Sequence, residues 1–125
     1  MSWSYVLFSL DGRINRQVYW LRFAVPYLIC YGIAAFIDQM MIGNRTYAFP
    51  YLIILVVLVA LWPSIAAAVK RLHDRNRSGW FLLFALVPIA NIWIMIEIYF
   101  LKGTDGPNTY GPDPLAAGAA APGPA

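Results

Sequence analysis

The chain has 125 residues, 61% of them apolar and only 12% charged, with a formal net charge of +3. Soluble domains carry about 25% charged residues, so an ordinary water-soluble globule is excluded. A nucleic-acid role is excluded too: it needs a basic face on a polar folded domain, and the basic residues here crowd the ends of apolar runs.

At the start of the chain, Trp3, Val6, Leu7 and Leu10 recur at i, i+3, i+4 and i+7, the spacing of one helical face. A helix this short cannot span a bilayer and is expected to lie at its interface. The competing expectation is an unstructured lead, since short helices are marginal without support. Asp11-Gly12 ends the segment, and Asn15 is placed to cap the first spanning helix. Three apolar runs come next, at about 18–37, 49–69 and 80–101. Each is close to the roughly 20 residues that carry a helix across a hydrocarbon core of about 30 Å. Helices are required because lipid offers the backbone no partners, and so short a chain cannot close a barrel. The first run starts late and has no small-residue cleavage site, which argues against a signal peptide. Cys30 lies inside it and, as the one cysteine, excludes an internal disulfide. Arg22, about one turn inside, is expected to reach back to the headgroups.

Gly43-Asn44 marks a turn, and Pro50 suits the start of the second run. Along that run Ala60, Ser64 and Ala68 recur every four residues, a small-residue face on which another helix can dock closely. Its helix is expected to continue through 70–74. A tight turn over 76–79 comes after it, with Ser78 as the next cap, which makes the second and third runs antiparallel neighbours. Pro26, Pro63 and Pro88 put one proline inside every run, either kinking helices around a cavity or fitting them to a bundle. Asn91, central in the third run, is expected to hydrogen-bond across helices. Glu97 is a candidate intramembrane carboxylate, or a group that reaches the outer interface. Glycines and prolines beyond 101 exclude a further helix, and 115–125 reads as a disordered Ala/Gly/Pro tail.

The predicted fold is therefore all-α: one membrane domain over 1–114, with three transmembrane helices and a short interfacial amino-terminal helix. Pro88 and Asn91 leave one alternative open. The third run could break into a re-entrant hairpin that returns the tail to its starting side, provided protein or water covers the broken backbone. With three crossings, Arg13, Arg16, Arg22, Lys70, Arg71, Arg75 and Arg77 share a side against Arg45 and Lys102, which puts the amino terminus in the cytoplasm. Trp3, Tyr19, Trp20 and Trp80 would mark the inner interface, and Tyr47, Phe49, Tyr51, Tyr99 and Phe100 the outer one.

The basic knot over 70–80 holds the candidate chemistry. His73 beside Asp74 suggests proton transfer, but sequence neighbours on a helix point about 100° apart. No nucleophile, base and oxyanion donor can be assembled from these positions, so an enzyme is not expected. Metal binding is not expected from one His and one distant Cys, and no cofactor is implied. Asp74 is better placed to meet Lys70 or Arg71, or to accept from Arg13 or Arg16 and tie the amino-terminal segment to the knot. Separate solvated charges are the alternative. The knot is either a site for anionic phospholipid headgroups or a purely topological signal. The candidate cytoplasmic-face network is Arg13, Arg16, Arg71, His73, Asp74, Arg77 and Trp80.

The blocks Ser9-Leu10-Asp11-Gly12-Arg13-Ile14-Asn15-Arg16 with Tyr19-Trp20, then Arg71-Leu72-His73-Asp74, Arg77-Ser78-Gly79-Trp80, Gly103, and Asn108-Thr109-Tyr110-Gly111-Pro112-Asp113-Pro114 occur in that order. Together they resemble the bacterial membrane proteins of domain of unknown function 805. The departures are mild: Leu10 stands where an aromatic is usual, and Lys70 where arginine is usual. The resemblance implies a small, multi-pass protein of the bacterial inner membrane, and it brings no established activity or catalytic residues. The expected function is a non-enzymatic structural or regulatory component, self-associating or joined to another membrane protein. The alternative is a small transport or channel subunit, an oligomer with Asn91, Glu97 and proline-bent helices along its path.

Overall fold

The computed structural model describes residues 2–43 and 49–115, which are mostly helical and contain no strand. The expected turn residue Asn44, the outer-face residues Arg45 and Tyr47, and the tail beyond Leu115 lie outside the described residues.

Helix α1 (Trp3–Phe8) begins at Ser2, whose hydroxyl accepts from the Tyr5 amide. It stops before Leu10, and its buried face is Tyr5 and Val6, while Trp3 and Leu10 are exposed. This short helix packs against α5 (Leu61–Asp74).

Asn15 caps the next helix as its sequence position suggests, accepting from the Val18 amide at 2.8 Å. Helical backbone then runs from Arg16 to Ile42 without a break, 27 residues, or about 40 Å at 1.5 Å per residue. It comprises α2 (Arg16–Tyr19), a π-helical turn (Trp20–Ala24) and α3 (Val25–Ile42). Pro26 has no N–H to offer the carbonyl of Arg22. Just before it, the Val25 amide reaches back five residues to the Trp20 carbonyl, so a π-turn absorbs the proline without breaking the helix. Near the far end, Asp38 is buried, and its carboxylate accepts from the amides of Leu52 (3.1 Å) and Ile53 (2.9 Å). These belong to the first turn of α4 (Tyr51–Val59). An acid there satisfies orphan donors and complements the helix dipole, pinning the two helices together at that end.

Helix α5 continues α4 after a bend of 44°. Pro63 cannot donate to the carbonyl of Val59, and the Ser64 hydroxyl bonds back to the Ala60 carbonyl at 2.6 Å, which itself bends helices. The bend divides the Ala60, Ser64 and Ala68 face: Ala60 sits in the break and lines one groove, whereas Ser64 and Ala68 line a second, partly open pocket of about 230 Å³. A four-residue repeat makes one stripe only on a straight helix.

The third apolar run is not a single helix. Gly79–Leu86 forms a 3₁₀ helix capped by Ser78, whose hydroxyl accepts from the Trp80 amide at 3.3 Å. Val87 is extended, and Pro88 opens α6 (Pro88–Tyr99). Both ends of this hairpin lie at the knot. Gly79 abuts Val69 and His73, and Arg75 Nη1 donates to the Lys102 carbonyl at 2.6 Å. Pro88 has no N–H with which to extend the preceding turn. The Asn91 side-chain Nδ2 donates to the Ala85 carbonyl at 2.6 Å, so it closes the hairpin instead of bridging to another helix. Tyr99 and Phe100, expected at the opposite interface, pack on Tyr19 and Trp20 with ring centroids 5.2 and 6.1 Å apart. Residues 79–99 thus fold as a hairpin broken at Val87-Pro88, the form that Pro88 and Asn91 left open.

The core gathers at the knot end, around Tyr5, Val6, Ile14, Leu72, Ile94 and Ile98. Elsewhere the long helices and the hairpin expose large apolar side chains, among them Ile33, Phe36, Leu58, Ile89 and Ile92.

Candidate functional site

Three helix carboxyl ends, those of α1, α5 and α6, converge at the knot. Each leaves carbonyls without helical partners and carries partial negative charge. The sequence supplies cations to match. Lys70 Nζ donates to the carbonyls of Val6 (2.7 Å), Ser9 (2.7 Å) and Tyr5, closing the end of α1. It also lies 4.8 Å from the Tyr5 ring centroid. Arg71 closes the end of α6: Nε donates to Ile98 O at 2.8 Å, and Nη2 to Glu97 O (3.0 Å) and Leu101 O (2.5 Å). Its Nη1 donates to Asp74 Oδ2 at 3.0 Å.

Arg13 reaches the same carboxylate from the amino-terminal segment, Nε to Asp74 Oδ1 at 3.1 Å. Its other nitrogens donate to the carbonyls of Thr104 (2.7 Å), Gly106 (2.8 Å), Gly111 (3.3 Å) and Asp74 (3.4 Å). Arg13, Lys70 and Arg71 are each 0% exposed, and Asp74 is 2% exposed. Two buried arginines therefore share one carboxylate, Lys70 is held by carbonyls alone, and converging carbonyls supply the remaining compensation. Without such partners, burial would cost several kcal/mol per ion.

The segment after α6 folds over this cluster. Gly103 lies so close to Asp74 that a Cβ there would collide with the carboxylate, and the Thr104 amide donates to Asp74 O at 2.7 Å. Asn108 and Gly111 exchange backbone bonds of 3.0 and 3.2 Å in a tight turn. The Asn108 side chain donates to His73 O at 2.9 Å, and the Tyr110 ring stacks on His73, with centroids 3.9 Å apart and planes 2° apart. His73 Nδ1 lies 3.0 Å from Gly12 O. A carbonyl only accepts, so Nδ1 carries the hydrogen. Gly12 holds a φ of +90°, and a side chain there would strike the Tyr5 hydroxyl. Amides of Leu115 and Gly106 bond the Asp113 carboxylate and hold it below the usual carboxylate range.

Of the sequence-predicted network, Arg13, Arg71, His73 and Asp74 come together here. Arg16 lies at the edge and donates to Phe100 O at 2.8 Å instead of reaching Asp74. Arg77 pairs with Glu97 Oε1 at 3.2 Å, and Arg75 lies 3.5 Å from the same oxygen. Glu97 is therefore buried beside the knot. Trp80 is 79% exposed and stands outside the junction. Sequence reasoning missed the anchoring roles of Lys70 and Asp38. Lys70 bonds backbone carbonyls, which no side-chain pattern encodes; an acid at the end of an apolar run was the one signal for Asp38.

The family model for a protein of unknown function, DUF805, matches residues 7–112. The inner membrane protein YhaI of Escherichia coli K12 is 38% identical over 113 residues, covering 89% of this chain and 88% of that protein. The inner membrane protein YhaH of the same strain is 31% identical over 103 residues, covering 82% and 84%. The uncharacterized protein YiiR is 32% identical over 132 residues, covering 86% of each. No solved structure matches. The junction residues from Arg13 to Gly111 fall inside the matched region, with Tyr5 and Val6 just before it, and the chain belongs to the DUF805 family.

Proposed function

We propose that the chain is a non-enzymatic structural or regulatory protein of the bacterial inner membrane. It crosses the bilayer twice, and the junction clamps a re-entrant hairpin at the cytoplasmic face. The observation that carries this reading is the return of the hairpin to the knot, where Arg71 holds Ile98 O at 2.8 Å and Arg75 holds Lys102 O at 2.6 Å. The helix Arg16–Ile42 and the bent pair α4–α5 are each long and apolar enough to cross. Helix α6, at 12 residues, reaches only about 18 Å. The inner-membrane names of YhaI and YhaH support the location. With Lys102 beside the knot, eight of the nine basic residues fall on one side, and Arg45 in the connector is the exception. Positive-inside bias then makes that side cytoplasmic.

The non-enzymatic part of the reading rests on engagement. A general acid or base must reach a substrate, whereas Arg13, Lys70, Arg71 and Asp74 are buried and bonded to protein. The transport alternative is weaker, because the Asn91 side chain serves the hairpin turn and Glu97 pairs with Arg77.

Topology reporters test the proposal. Alkaline phosphatase fused after Pro114 should be inactive and green fluorescent protein there should fluoresce, while phosphatase fused after Gly43 should be active. Phosphatase activity after Pro114 would restore three crossings and overturn the hairpin.

A further inference from the structure

An apolar groove of about 390 Å³ opens between the long helix and the bent pair α4–α5, a size typical of ligand sites. Its origin is local. The 44° bend at Ala60 swings α5 away from α4's line, and Pro26 and Pro63 face the gap. Leu55 and Tyr27 are among its apolar walls, and Cys30 lines it on the long helix. At one end α1 closes over it, and there Arg22 stacks on Trp3 with its guanidinium carbon 5.1 Å from the ring centroid. Arg22 is the one charged residue in the lining.

An apolar channel between membrane helices with a cation and a tryptophan at its cytoplasmic mouth matches one chemistry, an acyl chain bearing an anionic head. We infer that the groove seats an anionic phospholipid, its chain along the wall that holds Cys30 and its phosphate at Arg22. Basic pockets between transmembrane helices on the cytoplasmic side take such headgroups, and tryptophan favours that depth. The inference rests on the two-crossing reading for the depth of Arg22, and its test does not depend on reporter fusions.

Cys30 is the one cysteine in the chain and is exposed in the groove, so its alkylation rate reports occupancy. The full chain in dodecyl maltoside is titrated with phosphatidylglycerol or phosphatidylcholine and treated with N-ethylmaleimide. One cation near the headgroup should give half-protection at about fivefold lower phosphatidylglycerol than phosphatidylcholine. Arg22→Gln should erase the difference, and Arg22→Lys should keep most of it. Helical circular dichroism checks that each variant is folded. Equal protection by the two lipids, no protection by either, or an unchanged preference in folded Arg22→Gln would overturn the inference. Protection that tracks protein concentration instead of lipid would assign the groove to a second copy and overturn it as well.

Discussion

Replacing Asp74 with Asn tests the physical basis of the junction. The carboxylate accepts from Arg13 at 3.1 Å and from Arg71 at 3.0 Å, and neither guanidinium is exposed. A hydrogen bond to a charged group contributes about 1.5–3 kcal/mol, and breaking a buried ion pair costs about 3–5 kcal/mol. Asn keeps one acceptor oxygen but turns donors toward the other arginine. The loss is tempered because Arg13 retains carbonyl partners at Thr104, Gly106, Gly111 and Asp74, and Arg71 at Glu97, Ile98 and Leu101. The expected destabilisation is therefore at the lower end, about 3 kcal/mol. It is read from unfolding of the purified chain in dodecyl maltoside titrated with sodium dodecyl sulfate, monitored by circular dichroism. Lys102→Gln, which breaks the exposed pair with Asp105 at 2.8 Å, should leave the midpoint in place. If Asp74→Asn unfolds within about 1 kcal/mol of the parent, carbonyl dipoles alone neutralise the arginines, and the carboxylate is not the hub.

Gly103→Ala drives a methyl into the Asp74 carboxylate, and should lift the segment after α6 off the knot, detected as faster proteolysis between Gly103 and Gly111. Lys70→Met leaves the carbonyls at the end of α1 without their shared donor; it should cost about 2 kcal/mol and expose Ser9–Gly12 to protease. Around Glu97 the expected effects are asymmetric. Arg75 and Arg77 have side chains 24% and 42% exposed and can hydrate, so Glu97→Gln should cost under about 1 kcal/mol. The double variant Arg75→Gln/Arg77→Gln strands a buried carboxylate and should cost about 3 kcal/mol. Equal losses in the unfolding titration would refute that difference.

Much of the local structure was legible because its causes are local. Asn15 and Ser78 cap helices from their own side chains, and Pro63 marks the bend by what its nitrogen lacks. The path of the third run was not legible. Hydropathy measures how greasy residues 80–101 are, and it gives the same answer for one long rod and for two short arms. The choice is made by partners far away in sequence, chiefly Arg71 on the carbonyls of Glu97, Ile98 and Leu101. The junction was half visible for the same reason. Its side-chain members Arg13, Arg71, His73 and Asp74 stood out as charged or titratable groups, while most of what they bond to is main chain. The four-residue spacing of Ala60, Ser64 and Ala68 presumes a straight axis, and the 44° bend parts Ala60 from the other two.

The partners of Arg13 lie between 61 and 98 residues downstream, and this separation orders biogenesis. Until those residues have been made, the guanidinium lacks the partners it has in the folded chain. It is satisfied only after Gly111 has been translated, so the clasp shuts last. A polypeptide cut short before Thr104 would leave its leading segment without most of the bonds that hold it to the knot.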